Sequence, residues 1–297
     1  MVSPGILLVD KPAGLTSHDV VARTRRALGT RKVGHAGTLD PMATGLLVIG
    51  VEGATRLLTF IVGADKTYEA TIRLGQTTAT DDADGDVLTR APEQAWTAVT
   101  PARVAAGIAS LTGAISQVPS SVSAIKVDGR RAYDRVRAGE EVVLAAREVT
   151  VSRFDVLGER RGDGFLDLDV VVDCSSGTYI RSLARDLGAD LGVGGHLTAL
   201  RRTRVGDFDV ADAVQVDAVT ESALLTPAAA AVRVLDALRV SNDEARDLRH
   251  GKRLAQQAVR LGGALAAAID EDDVLVGVVE KRGADLKSVM NMPEVQR

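Results

Sequence analysis

The chain has one cysteine, Cys174, only four histidines, and no stretch of 18 apolar residues. A single thiol excludes an internal disulfide and fits a reducing compartment. The scattered histidines and the lone cysteine supply no metal-ligand spacing, so no metal site is expected. Without a long apolar run there is no candidate membrane-spanning helix. The first 20 residues carry no signal-peptide pattern, and no internal repeat or low-complexity tail interrupts the chain. These absences predict a soluble cytoplasmic protein without a membrane partner.

What is present is a globular composition. The 297 residues, 45% of them hydrophobic, suffice for one large domain and a small one, each with a core. A formal charge of −4 argues weakly against a nucleic-acid partner, but its distribution argues the other way. Between Val20 and Gly34 stand Arg23, Arg25, Arg26, Arg31 and Lys32 with no acid. Lys126, Arg130, Arg131, Arg135 and Arg137 crowd a second stretch, and Arg201, Arg202 and Arg204 a third. Local patches set attraction to phosphate, and arginine forks onto it. Each patch taken alone reads more readily as an ordinary solvated face.

One loop stands out, His35-Ala36-Gly37-Thr38-Leu39-Asp40-Pro41-Met42-Ala43-Thr44-Gly45. Gly34, Gly37 and Gly45 permit positive φ or close approach, while Pro41 keeps Asp40 out of the helical region. Asp40 therefore lies at a turn just before the apolar run Leu46–Ile49, which reads as a buried strand. A carboxylate on a stiff turn at a strand end suits chemistry. An aspartate bonding its own turn backbone gives the same pattern.

Gly34-His35-Ala36-Gly37-Thr38-Leu39-Asp40-Pro41 and the following Ala43-Thr44-Gly45-Leu46-Leu47 resemble the catalytic motif of the bacterial TruB family, tRNA pseudouridine synthases acting on uridine 55 of the T-loop. Further segments match in the family's order: Asp10–Ser17, Lys66–Ala70, Leu74–Thr78, Asp81–Gly85, Cys174–Arg181 and Leu200–Gly206. The resemblance implies an α+β fold. Its parts are a mixed, mostly antiparallel sheet with flanking helices in residues 1–235, and a small β-rich, PUA-like RNA-binding domain in 236–297. An RNA-gripping insertion is expected at about 117–142. There the family usually has Pro and Tyr where this chain has Ser120 and Val122, which removes any contact made by that ring.

Periodicity supplies local expectations. Ile6–Val9 reads as a strand, and Ser17 as the N-cap of a helix stopped by Gly29. Ala54–Ile61 reads as helical. Tyr68, Ala70, Ile72 and Leu74 alternate with polar residues as a half-buried strand, residues 90–99 read as a linker, and a helix opens at Pro101 after its cap Thr100. Asp81–Asp86 reads as a polar loop near the RNA path, since it lacks the terminal glutamate of a calcium loop. Leu166, Leu168, Val170 and Val172 mark another strand, leading through a turn into a helix that begins near Tyr179 and Arg181. Residues 207–235 read as a helical connection. Beyond them come a helix capped by Ser241 and three β-runs near 265–269, 274–279 and 286–292.

The resemblance also assigns roles. Asp40 becomes the nucleophile, at the sugar or at the uracil ring. Tyr68, otherwise a core tyrosine, becomes the ring that stacks on the base and accepts its C5 proton. Arg181 sits in a helix first turn, where a cation is disfavoured unless an anion is near; the family makes that anion Asp40. Tyr179 and Leu200 would line the base pocket. His35 would enter the space left by the flipped base, or stack as a spectator. Lys126, Arg131 and Arg202 would hold phosphates. Lys11 would contact phosphate or merely solvate its turn. The chemistry needs no cofactor, and the implied partner is the tRNA T-loop and stem, with a monomeric protein and no obligate protein partner. A hydrolase using Asp40 would need a second carboxylate, which no motif offers. A non-catalytic RNA-binding protein would need the basic clusters but not Asp40.

Overall fold

The computed structural model describes residues 2–120, 126–127, 130–131 and 144–293. In chain order the main elements are β1 (Gly5–Lys11), α1 (Ser17–Leu28), β2 (Val33–His35), β3 (Thr44–Val51), α2 (Leu58–Ile61), β4 (Lys66–Leu74), β5 (Gln76–Thr78), β6 (Val87–Arg90), α3 (Glu93–Thr97), α4 (Pro101–Ser110) and β7 (Gly113–Gln117). Then follow β8 (Lys126–Val127), β9 (Arg130–Arg131), β10 (Arg147–Gly162), β11 (Phe165–Cys174), α5 (Ile180–Asp190), β12 (Gly195–Val205), β13 (Phe208–Asp209) and β14 (Val214–Gln215). The chain closes with α6 (Pro227–Ala231), β15 (Asp236–Arg239), α7 (Asn242–Arg249), β16 (Leu265–Ile269), β17 (Leu275–Arg282) and β18 (Asp285–Asn291). This is the expected α+β class. Contacts group the chain into two compact units, one of Met1–Pro41, Gly45–Ala64 and Arg204–Arg297, the other of Met42–Thr44 and Asp65–Thr203.

In the first unit β1 lies antiparallel to β3 and parallel to β14. β1 and β3 are apolar runs because both their faces are buried. Leu7, Val9, Leu47 and Ile49 pack with Val20, Val21 and Leu28 of α1. The alternate residues Ile6, Leu8, Leu46 and Val48 enter a second core with Leu57, Ile61, Ala230 and Ala231. Ala267, Ile269, Leu275, Val278 and Met292 belong to that same core, so residues on either side of position 235 share it. β15 to β18 form a four-stranded sheet in sequence order, whose other face packs with Leu248 of α7.

In the second unit the strand order is β12-β4-β11-β10-β7. β4 alternates as expected, with Tyr68, Ala70, Ile72 and Leu74 buried. The acids of β11 stand opposite their β4 partners in register. Asp167 is forked by Arg73 with two contacts of 2.7 Å, Asp169 accepts from Thr71 at 2.8 Å, and Asp173 from Thr67 at 2.5 Å. Cross-strand pairs of this kind fix register.

Three local expectations change. Thr16, not Ser17, caps α1, closing a reciprocal box with Asp19. Residues 93–97 form a short helix inside the expected linker. The expected helical connection at 207–235 breaks into three single 3-10 turns and the short strands β13 and β14, because its acid-rich segments lack a sustained apolar stripe; only Pro227–Ala231 is α-helical. Position 122 and most of the expected insertion lie outside the described residues.

Candidate active site

The loop bearing Asp40 is fixed by its own backbone and by the segment after β1. Gly37 and Gly45 adopt φ of 93° and 99°, which a side chain would strain. The hydroxyl of Ser17 accepts from Leu39 N–H at 2.9 Å and donates to Leu39 C=O at 3.1 Å. On the other flank, Pro41 C=O accepts from Gly14 N–H at 2.8 Å and from Lys11 Nζ at 3.2 Å. Asp40, half-buried, thus sits between two residues whose carbonyls are both held.

Lys11 is placed neither at a phosphate nor in solvent. Its side chain is fully buried, and the ammonium donates to Leu15, Pro12 and Pro41 carbonyls at 2.7, 3.0 and 3.2 Å. Three donors meeting three acceptors make a clamp on the loop, and the phosphate role is withdrawn. Arg202 needs the same correction: at 1% exposure it is an interior side chain, out of reach of a phosphate. Its charge and, more strongly, burial push the neighbouring Lys66 ammonium down to about 8. His35 is half-buried and meets His18 edge-on, with ring centroids 5.6 Å apart. Lys11, His35 and Asp40 belong to the first unit.

Tyr68, Tyr179, Arg181, Leu200 and Arg202 belong to the second. Tyr68 and Leu200 are buried on β4 and β12. Gly177, at φ 91°, turns the chain into α5, and Tyr179 is the N-cap. The amide of Gln117 pairs with its backbone in both directions, accepting from Tyr179 N–H at 2.8 Å and donating to its carbonyl at 3.1 Å. Lys126 and Arg131 are register partners in the β8–β9 ladder.

The cation in the first turn of α5 has an anionic neighbour that sequence reasoning passed over. Arg181 Nη1 lies 3.3 Å from Asp82 Oδ2 and donates to Thr80 C=O at 3.0 Å; the two side chains are 4% and 5% exposed. Asp82 is anchored in turn by Asp84 N–H at 3.1 Å and by the Thr80 hydroxyl. The expected polar loop is therefore partly an interior network. Next to it, Asp81 holds φ at 59° and pairs with Arg185 at 3.7 Å. Burial raises its pKa, against the opposing pull of the Ser120 hydroxyl and the Arg185 and Arg181 charges. The requirement for an anion near Arg181 was legible; that Asp82 is one such anion depends on how the 78–86 turn folds inward.

Comparison with known proteins places this α+β chain among the pseudouridine synthases. Family models match in three consecutive pieces: "TruB family pseudouridylate synthase (N terminal domain)" at residues 25–180, "tRNA pseudouridylate synthase B C-terminal domain" at 181–240, and "tRNA Pseudouridine synthase II, C terminal" at 235–293. A relative from Leifsonia xyli, described as tRNA pseudouridine synthase B, is 59% identical over 297 residues, covering 99% of this chain and 98% of its own. One from Nocardia farcinica with the same description is 57% identical, covering 94% and 90%. Among solved structures, an H/ACA RNP bound to a substrate RNA containing 2′-deoxyuridine contains a chain of TM-score 0.70 and 25% identity, covering 98% of this chain and 85% of that one. The chain belongs to the TruB family of pseudouridine synthases, and is an isomerase of that family.

Proposed function

We propose that this enzyme converts uridine 55 in the T-loop of tRNA to pseudouridine. The observation that carries the reading is likeness over nearly the whole chain to relatives described as tRNA pseudouridine synthase B. The reaction breaks the N1–C1′ bond, turns the uracil and joins C5 to C1′. The C5 proton leaves and N1 gains one, so nothing is oxidised or hydrolysed. Asp40 acts as nucleophile, with Arg181 holding it ionised. Tyr68 stacks on the base and accepts the C5 proton. Tyr179 and Leu200 confine the detached ring, which must not escape between bond breaking and bond making. A base folded into the T-loop has first to be flipped out, at a cost of a few kcal/mol, and His35 fills the space it leaves. Lys126 and Arg131 hold phosphates, while the loop's shape carries specificity. Residues 236–297 form a PUA-like RNA-binding domain. The enzyme works as a cytoplasmic monomer without cofactor.

The held carbonyls on both flanks of Asp40 support the nucleophile assignment, since they limit the turn's freedom. The test is to incubate the protein with unmodified tRNA and map pseudouridine and free uracil. Pseudouridine at position 55 is expected; free uracil would indicate a hydrolase, and neither product a binding protein. Asp40→Asn is expected to fold normally and form no product, because an amide is a poor nucleophile. Turnover by that variant within about tenfold of wild type, a barrier change near 1.4 kcal/mol, would refute the assignment.

A further inference from the structure

The helix carrying Arg181 begins without a cap of its own. Tyr179 holds extended dihedrals, φ −103° and ψ 108°, and its side chain makes no capping hydrogen bond. Its backbone is held from elsewhere, by the side chain of Gln117 in both directions. Gln117 is 2% exposed, so this amide is a buried polar group whose bonds are directed at one residue. It is also the last residue of β7 and the last paired with β10, opposite Arg147. One residue on, Val118 C=O accepts from Arg185 Nη2 of α5 at 2.7 Å. Three side-chain bonds, two from Gln117 and one from Arg185, therefore tie the end of β7 to the first two turns of α5.

We propose that Gln117 is a positioning residue for the reaction, fixing the backbone of Tyr179 so that its ring is set against the target base. This rests on the role given to Tyr179 above. For packing alone, an apolar side chain would fill the position without the cost of burying an amide. Because the amide matches both the N–H and the C=O of Tyr179, and that carbonyl otherwise meets the helical Leu183 N–H at 3.2 Å, loss of the amide loosens the residue that opens the helix. The effect belongs to the bound base rather than to capture of the RNA, since Gln117 itself is shielded from solvent. Small misplacements of this kind act on the chemical step.

Gln117→Ala and Gln117→Glu test this in the full chain. For Gln117→Ala, the single-turnover rate at saturating tRNA should fall roughly tenfold or more while tRNA affinity stays within about threefold of wild type. In Gln117→Glu the carboxylate can accept from Tyr179 N–H but repels the Tyr179 carbonyl. Its protonated form restores both bonds, so its rate relative to wild type should climb as pH is lowered from about 8 to about 6, towards the range in which a buried carboxyl gains its proton. An unchanged saturated rate for Gln117→Ala, or a loss confined to affinity, overturns the proposal. If that variant does not fold, the glutamate variant decides, and a flat ratio to wild type across pH overturns it. A wild-type protein that forms no pseudouridine overturns the functional reading instead.

Discussion

Asp82→Asn isolates one charge in the interior of the second unit. Asp82 and Arg181 are both buried and 3.3 Å apart, so the amide would leave a guanidinium facing Nδ2 or Oδ1 rather than a carboxylate. Removing one member of a buried pair costs about 3–5 kcal/mol when the remaining charge loses every partner, a ceiling here because Arg181 keeps the Thr80 carbonyl. Volume is conserved, so no cavity is added. The asparagine oxygen still accepts from Asp84 N–H, which Asp82 does at 3.1 Å, and a retained hydrogen bond offsets about 1 kcal/mol. The net expectation is about 2–4 kcal/mol, or roughly 5–15 °C in melting temperature for a chain of this size. Arg181 also loses a fixed reference for its guanidinium, so the saturated rate should drop about fivefold to thirtyfold if half that energy is expressed in the transition state. Tritium release from 5-tritiated uridine in tRNA, with enzyme in excess, measures the rate; a thermal melt measures stability. A variant melting within about 1 °C of wild type and reacting at the same rate would show that the pair neither stabilises the fold nor aims Arg181.

Three further outcomes follow. Lys11→Met leaves the Pro12 and Leu15 carbonyls without their buried donor, while Pro41 keeps Gly14 N–H. The cost is about 1–3 kcal/mol for each orphan, read as a lowered urea midpoint with lower activity; an unchanged midpoint refutes the clamp. Lys66 carries a folded pKa pushed from 10.5 to about 8, so the unfolded chain binds its proton more tightly and stability rises with pH between those values. The full span is worth roughly 3 kcal/mol. Cys174, raised from 9.0 to about 11, opposes this above pH 9, so the measurement belongs in a Cys174→Ala background, where Lys66→Met should flatten the rise. Finally, deleting residues 236–297 removes Ile269, Leu275, Val278 and Met292 from the core shared with Leu57 and Ile61. At about 1.5–3 kcal/mol per large side chain the loss is about 6–12 kcal/mol, comparable with the whole stability of a typical protein. The 1–235 fragment should bind a hydrophobic dye and lose its cooperative melt, and a melt like that of the full chain would show the shared core to be dispensable.

Much of the fold could be read along the chain because its signals are local. Alternation in 66–74 and 166–173 and the glycine stop at Gly29 each report a strand or helix boundary without reference to anything distant. The site was legible only as far as residue type and turn chemistry reach. Asp40 announced itself through Gly37, Pro41 and Gly45, which shape the backbone in place. Lys11 did not, since an exposed and a buried lysine look the same until the carbonyls of Leu15 and Pro41 converge on it. Ser17 looked like a cap because serine commonly is one, yet Thr16 takes that role and frees the Ser17 hydroxyl for Leu39. Asp82 and Gln117 were passed over for a related reason: their partners, Arg181 and Tyr179, lie 99 and 62 residues away along the chain.

The pairing of β1 with β3 explains why the segment after the first strand and the loop before the third act together. The strands are antiparallel, with Gly5 opposite Val51 and Lys11 opposite Gly45. The chain therefore leaves β1 and enters β3 at the same end of the pair, and 12–16 must lie beside 36–43. A slip by one residue would carry Leu7 and Val9 out of the core under α1 and turn Lys11 to the opposite face. Burial of both faces of these strands forbids such a slip, because Ile6 and Leu8 would be displaced at the same time from the other core. The apolar run that looks like mere core is thus what fixes the register, and the register is what delivers the ammonium of Lys11 to the carbonyl beside Asp40.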